Sequence, residues 1–125
     1  MPRFNPAEAA TGPLVRGFAK GGAFVVGEQA FAGVLLTPQR AIGWTAPALG
    51  DLAPAHLSEL MALSPLPEFL LLGTGPSLRR PPPALVRALE ERGLGVEAMD
   101  SRAAARTWGV LRAEERWIVA ALLPL

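Results

Sequence analysis

A chain of 125 residues with 50% hydrophobic and 18% charged side chains has enough apolar surface for one folded core and too little charge for a disordered segment. Its formal net charge of +1 removes bulk electrostatics as a basis for nucleic-acid binding. The absence of cysteine removes disulfides, iron–sulfur clusters and thiolate zinc.

The expected organisation is a single domain over residues 1–125, with residues 1–13 as a loose, polar, proline-containing lead-in. That lead-in lacks the apolar stretch of a secretory signal and the arginine- and serine-rich character of a mitochondrial presequence. Leu14 to Lys20 and Ala23 to Val26 are apolar runs separated by Gly21-Gly22, which reads as a hairpin turn. Ala32 to Leu36 and Ala41 to Thr45 form a second pair around Thr37-Pro38-Gln39-Arg40. The first 45 residues therefore read as an antiparallel meander. Apolar residues at 57, 60, 61 and 63 give Pro54 to Leu63 the spacing of a short helix, which Pro65 stops.

The rhythm then changes. Glu68 to Leu72 is a continuous apolar strand of the kind buried on both faces. Pro83 to Arg92 follows as a helix, because proline suits the first helical turn. Leu85, Ala88 and Leu89 form its inward stripe, and Gly93 or Gly95 ends it. Val96 to Met99 is the next strand. Ser101 is placed to cap a helix from Arg102 to about Ala113, its hydroxyl accepting from free N–H groups. Trp117 to Leu123 closes as a strand, too short an apolar run to cross a bilayer. Its direction relative to its neighbours is not readable from the chain. The class that the residues give is α/β: N-terminal antiparallel hairpins followed by a C-terminal βαβαβ segment.

Gly73-Thr74-Gly75 lies where such a strand ends. A dinucleotide fingerprint needs a third glycine and a helix opening at the loop itself. Here the third glycine is missing and the helix begins about eight residues late. A tight post-strand turn is the favoured reading. A weaker functional reading remains. If the strands ending at Leu72 and Met99 lie side by side and parallel, Gly73, Thr74, Gly75 and Ser101 emerge on one rim, where open α/β sheets hold ligands. Arg79 or Arg80 can reach over that rim, and Arg106 beside Thr107 can point into it. An anion, or a partner's acidic side chain, suits such a crevice.

Arg102 and Arg106 are one helical turn apart, and like charges there cost a few tenths of a kcal/mol, roughly, unless neutralised. Structural ion pairs with Asp100, Glu97 or Glu114 are the expected remedy. His56 is the sole histidine, so no transition-metal site is expected. Serines 58, 64, 77 and 101 lack a nucleophile-elbow context. Glu90-Glu91 and Glu114-Glu115 are adjacent pairs that point apart on a helix, as solvated faces do. Trp44, Trp108 and Trp117 are assigned to packing. Neither catalytic residues nor a cofactor are expected.

The stretch FLLLGTG, followed by LEERGLGVEAMDSRAAARTWGVLRAEERWIVAALLPL, resembles the Mth938-like family (DUF498) over roughly residues 66–125. The resemblance rests on Gly73, Gly75, Ala103, Ala104, Arg106, Thr107, Leu111, Glu114 and Arg116. The preceding GEQAFAGVLLTP and IGW fit the family layout. Ser101 stands where the family usually has threonine, Trp108 for tyrosine, Gly109 for asparagine and Glu115 for glycine. Gly109 costs about 1 kcal/mol against alanine in mid-helix. The resemblance implies a Mth938-like three-layer α/β domain with a mixed central sheet, and no established catalytic residues. It also implies an interaction module with a protein partner, a respiratory complex I subunit or another assembly factor. The expected location is cytoplasmic, peripheral at the inner face of the membrane, in a bacterial-type relative. A homodimer formed through an exposed strand edge, and a small-molecule- or anion-binding protein, or an enzyme, using the rim, are the alternatives.

Overall fold

Turn chemistry sets the first elements. The computed structural model describes residues 12–125, so the lead-in expected over residues 1–13 falls, up to residue 11, outside the described residues. Strand β1 (Val15–Phe18) pairs antiparallel with β2 (Phe24–Val26). Gly21 and Gly22 both take φ +90°, a region closed to most L-residues, which is why the Gly-Gly dipeptide makes this turn. A third strand, β3 (Gln29–Phe31), pairs with β2 through Gly27 at φ +60°. No hydrophobic alternation announces it, since Gln29 and Ala30 are exposed.

Strands β4 (Val34–Leu36) and β5 (Ala41–Gly43) form the second expected hairpin. The Thr37 hydroxyl holds its turn by accepting from the Gln39 and Arg40 N–H groups at 3.1 and 3.0 Å. The meander is not continuous, however. β1, β2 and β3 make their own three-stranded sheet, whereas β4 and β5 join a five-stranded sheet. Pro54–Leu57 is a 3-10 turn leading into a single α turn, α1 (Ser58–Met61), shorter than the helix expected to Leu63. The His56 ring closes that turn by accepting from Ala53 N–H at 3.0 Å.

β6 (Phe69–Gly73), α2 (Pro83–Glu91), β7 (Gly95–Met99), α3 (Ser101–Ala113) and β8 (Val119–Leu122) complete the chain. The larger sheet runs β5-β4-β8-β6-β7. β8 is parallel to β6 and antiparallel to β4, which settles the direction of the last strand. The connections β6-α2-β7 and β7-α3-β8 run in opposite directions along the sheet. Crossovers of one hand then put their helices on opposite faces.

The cores confirm this. Leu85 and Leu89 of α2 pack with Leu35, Leu70, Leu72, Val119 and Ala121 on one face. Ala104, Ala105 and Trp108 of α3 pack with Val34, Leu36, Leu71, Ala120 and Leu122 on the other, together with Phe24 and Val26 of the small sheet. The period-two alternation of β4, β6 and β8 divides their side chains between the two cores. Each leucine so buried contributes about 1.5–3 kcal/mol.

α2 ends at a glycine cap. Gly93 has φ +88°, and the Leu94 N–H reaches the Leu89 carbonyl at 2.9 Å. α3 ends differently. Glu115 occupies the left-handed position at φ +59°, and the Arg116 N–H bonds the Leu111 carbonyl at 3.1 Å. The Arg112 guanidinium, nearly enclosed, donates to the Arg116 carbonyl across this cap. Burial holds Arg112 below the ordinary arginine pKa, and the nearby Glu115 charge opposes that shift. Among the described residues no helix is long and apolar enough to cross a membrane.

Candidate functional site

The expected rim exists. β6 and β7 are parallel with Gly73 opposite Met99, so both strands deliver their carboxyl ends to one edge of the sheet. β8 ends there too, with Gly73 opposite Leu122. Gly73, Thr74, Gly75 and Ser101 are brought together at this edge, and all four are buried.

Ser101 does something the sequence did not announce. It is fully buried at the first position of α3. Its hydroxyl accepts from Gly75 N–H at 2.9 Å and donates to the Leu123 carbonyl at 2.8 Å. Its own N–H donates to the Gly75 carbonyl at 2.8 Å, and Leu123 N–H donates to the Gly73 carbonyl at 3.0 Å. One hydroxyl therefore ties the ends of β6 and β8 to the start of α3. The N-cap role expected of Ser101 belongs instead to Asp100. Asp100 is extended at φ −61°, ψ 158°, and its carboxylate accepts from Ala103 N–H at 2.9 Å. The chain turns into the helix one residue early, which swings Ser101 inward.

The two glycines have separate reasons. A Cβ at Gly73 would lie 2.7 Å from Ser101 Oγ and 2.9 Å from both Ser101 Cα and Leu122 Cδ2. Gly75 has φ +104°, a conformation that a side chain would strain. Thr74 is also consumed by the turn. Its N–H reaches the Met99 carbonyl at 2.8 Å. Its hydroxyl donates to the Ser77 carbonyl at 2.7 Å and accepts from Arg79 N–H at 3.0 Å.

The arginines are not gathered here. The Arg79 side chain is exposed, and only its backbone takes part in the rim. Arg106 is exposed on α3 and Thr107 half-buried, with neither bonded to the rim hydroxyls. The ion pairs expected for Arg102 and Arg106 do not form among the described residues, where the salt bridges are Arg40–Glu59 and Arg116–Glu68. Arg102 instead lies over the Phe18 ring at 5.5 Å, an alternative the sequence could not show because Phe18 is far away in the chain.

The shifted ionisable groups lie elsewhere. Arg116 grips Glu68 through Nε and Nη2 at 3.0–3.2 Å, and this hydrogen bonding holds the Glu68 carboxyl below its usual range. Among the described residues, no cluster of His, Asp or Glu has the arrangement of a metal site. Trp108 is fully buried, and its indole N–H reaches the Pro13 carbonyl at 2.8 Å, as a packing role requires.

This arrangement defines a mixed α/β domain whose sheet tips are stapled shut by a serine. The chain belongs to the family described as "Protein of unknown function (DUF498/DUF598)", whose profile matches residues 15–123. That match extends the likeness seen over residues 66–125 back through the N-terminal hairpins. The chain is similar to NADH dehydrogenase (ubiquinone) 1 alpha subcomplex assembly factor 3 of Danio rerio, at 30% identity over 94% of this chain and 67% of that protein. Its cattle (Bos taurus) counterpart is 32% identical, and the chain spans 58% of its length. Among solved structures, a Bordetella parapertussis protein matches with TM-score 0.79 and 36% identity, over 90% of this chain and 96% of that one. A Bordetella pertussis protein described as a Mth938-like domain matches with TM-score 0.77 and 30% identity, over 99% and 92%.

Proposed function

We propose that this domain is a non-enzymatic interaction module serving the assembly of a respiratory NADH dehydrogenase complex. The observation that carries it is the similarity over 94% of the chain to a relative named as an assembly factor for such a complex. The state of the rim supports it. The hydroxyls of Thr74 and Ser101 already bridge backbone groups, and a hydroxyl so engaged is not poised as a nucleophile or a proton carrier. The module would act through a protein partner, in the cytoplasm or at the inner face of the membrane.

Deletion of the gene tests this reading. Loss of NADH:quinone reductase activity, with subcomplexes accumulating on native gels and rescue by the restored gene, is the expected result. An intact, fully active complex in the deletion strain would sink it. The rival reading places an anion or small molecule against Gly73, Thr74, Gly75, Arg79, Ser101, Arg106 and Thr107. Phosphate titration followed by amide NMR decides that one. Saturable shifts confined to the 73–79 and 101–107 segments would favour the ligand.

A further inference from the structure

The side of α2 that faces away from the core carries an open groove. Leu85 and Leu89 turn inward and are buried, whereas Arg87 and Glu90 are exposed. The groove, of about 350 Å³, is lined by Arg80, Pro81, Pro83, Val86, Arg87 and Glu90. Its composition is a short apolar floor with two guanidinium groups beside it and a carboxylate toward the end of the helix.

Both arginines are electrostatically unspent. Neither Arg80 nor Arg87 has a carboxylate within 4.0 Å among the described residues. Arg87 precedes Glu90 and Glu91 by three and four residues, the spacing of helical ion pairs, yet no pair forms. An arginine placed N-terminal to glutamate is the less favourable order on a helix. The wall of the groove is also preformed. Pro81, Pro82 and Pro83 each have φ fixed by their rings, so little backbone freedom is left to lose when something docks.

We propose that this groove docks an acidic segment of a protein partner. Carboxylates of the segment meet Arg80 and Arg87, one aliphatic side chain seats on Pro81, Pro83 and Val86, and no acidic residue falls opposite Glu90. Charge complementarity selects this occupant. An apolar peptide would leave both guanidinium groups facing uncharged surface, and a basic one would meet like charge. The inference rests on the assembly reading for the kind of partner, not for the chemistry of the groove.

The test uses the whole chain and a fluorescein-labelled decapeptide of alternating Glu and Leu, with its Lys-Leu counterpart as control. Fluorescence anisotropy should show saturable binding of the acidic peptide, weakening as salt rises. The Lys-Leu peptide should not bind. The double variant Arg80→Glu/Arg87→Glu should lose about tenfold or more in affinity, and Arg16→Glu, on the small sheet, should lose none. Equal binding of both peptides, no binding of the acidic one, or an unchanged double variant each overturns the proposal. So does displacement of the peptide by millimolar inorganic phosphate, which would assign the arginines to a small anion, or crosslinking of the groove to a second copy of the chain.

In cells, the double variant should restore a deletion strain poorly at unchanged protein level. Full restoration removes the groove and leaves the assembly role standing. A deletion strain with an intact respiratory complex removes the assembly role, and the peptide measurements still decide the groove.

Discussion

The rim around Ser101 and the outer side of α2 lie within one stretch of chain, and they treat polar groups in opposite ways. At the rim, hydroxyls, N–H groups and carbonyls from β6, α3 and β8 satisfy one another, and no buried side-chain nitrogen or oxygen among the described residues lacks a partner. At and just before α2, Arg80 and Arg87 stand beside an apolar floor, and among the described residues no carboxylate lies within 4.0 Å of either guanidinium. The residues that look most like a binding motif are spent on the fold. The charge left without an ion pair among the described residues stands on Arg80 and Arg87, either side of the proline run. A polar residue's value for recognition depends on what its neighbours leave unsatisfied.

Substitutions can break this contrast. The largest effect is expected from Gly73→Ala, which drives a methyl into Ser101 and Leu122. It should cost about 3 kcal/mol in urea unfolding, the upper range for overpacking, and a cost under about 1 kcal/mol would mean that the rim is loosely held. Ser101→Ala should cost about 2 kcal/mol, because it orphans the Gly75 N–H and the Leu123 carbonyl in a dry site. If the rim were a ligand site instead, that variant would change stability little and abolish an added anion's stabilising effect.

Glu115→Gly should raise stability by about 1 kcal/mol, since glycine takes the left-handed cap without the penalty a side chain brings. Arg80→Ala/Arg87→Ala should move the unfolding midpoint by no more than about 0.5 kcal/mol equivalent, as expected of side chains that contribute nothing to the core.

The smallest effect concerns acid. The Glu68 carboxyl has a depressed folded-state pKa, so the stabilisation it gives is present above its unfolded value and lost as pH falls through the folded one. Glu68→Gln should flatten that part of the stability-versus-pH curve below pH ~4.5. An unchanged acid limb would show that the pair with Arg116 contributes nothing in solution.

Much of this architecture was legible in residue order. Apolar runs at 68–72, 96–99 and 117–123, with Pro83 opening one helix and Gly93 closing it, gave the βαβαβ segment, and Gly21-Gly22 gave the first hairpin. What was not legible depended on distant partners. β3 hides because it is three residues long with Gln29 and Ala30 exposed and only Phe31 half-buried, so pairing with β2 holds it rather than any alternation of its own. The division of the hairpins between two sheets follows from where β8 inserts, which no local pattern records. Ser101 looked like a cap by residue type, and Asp100 took that role because its carboxylate reaches Ala103. A signal was present: two small residues, Gly73 at the end of β6 and Ser101 two residues past the end of β7, lie at the tips of neighbouring parallel strands, which is where a close approach needs them.

The order β5-β4-β8-β6-β7 places the latest-made strand at the middle of the larger sheet. During synthesis, the β4-β5 hairpin and the β6-β7 pair can each form, but they have no shared hydrogen-bonded edge until residues 119–122 have left the ribosome. Two exposed sheet edges must therefore wait for one short strand, and a nascent chain stalled before it would present both to chaperones or to other chains.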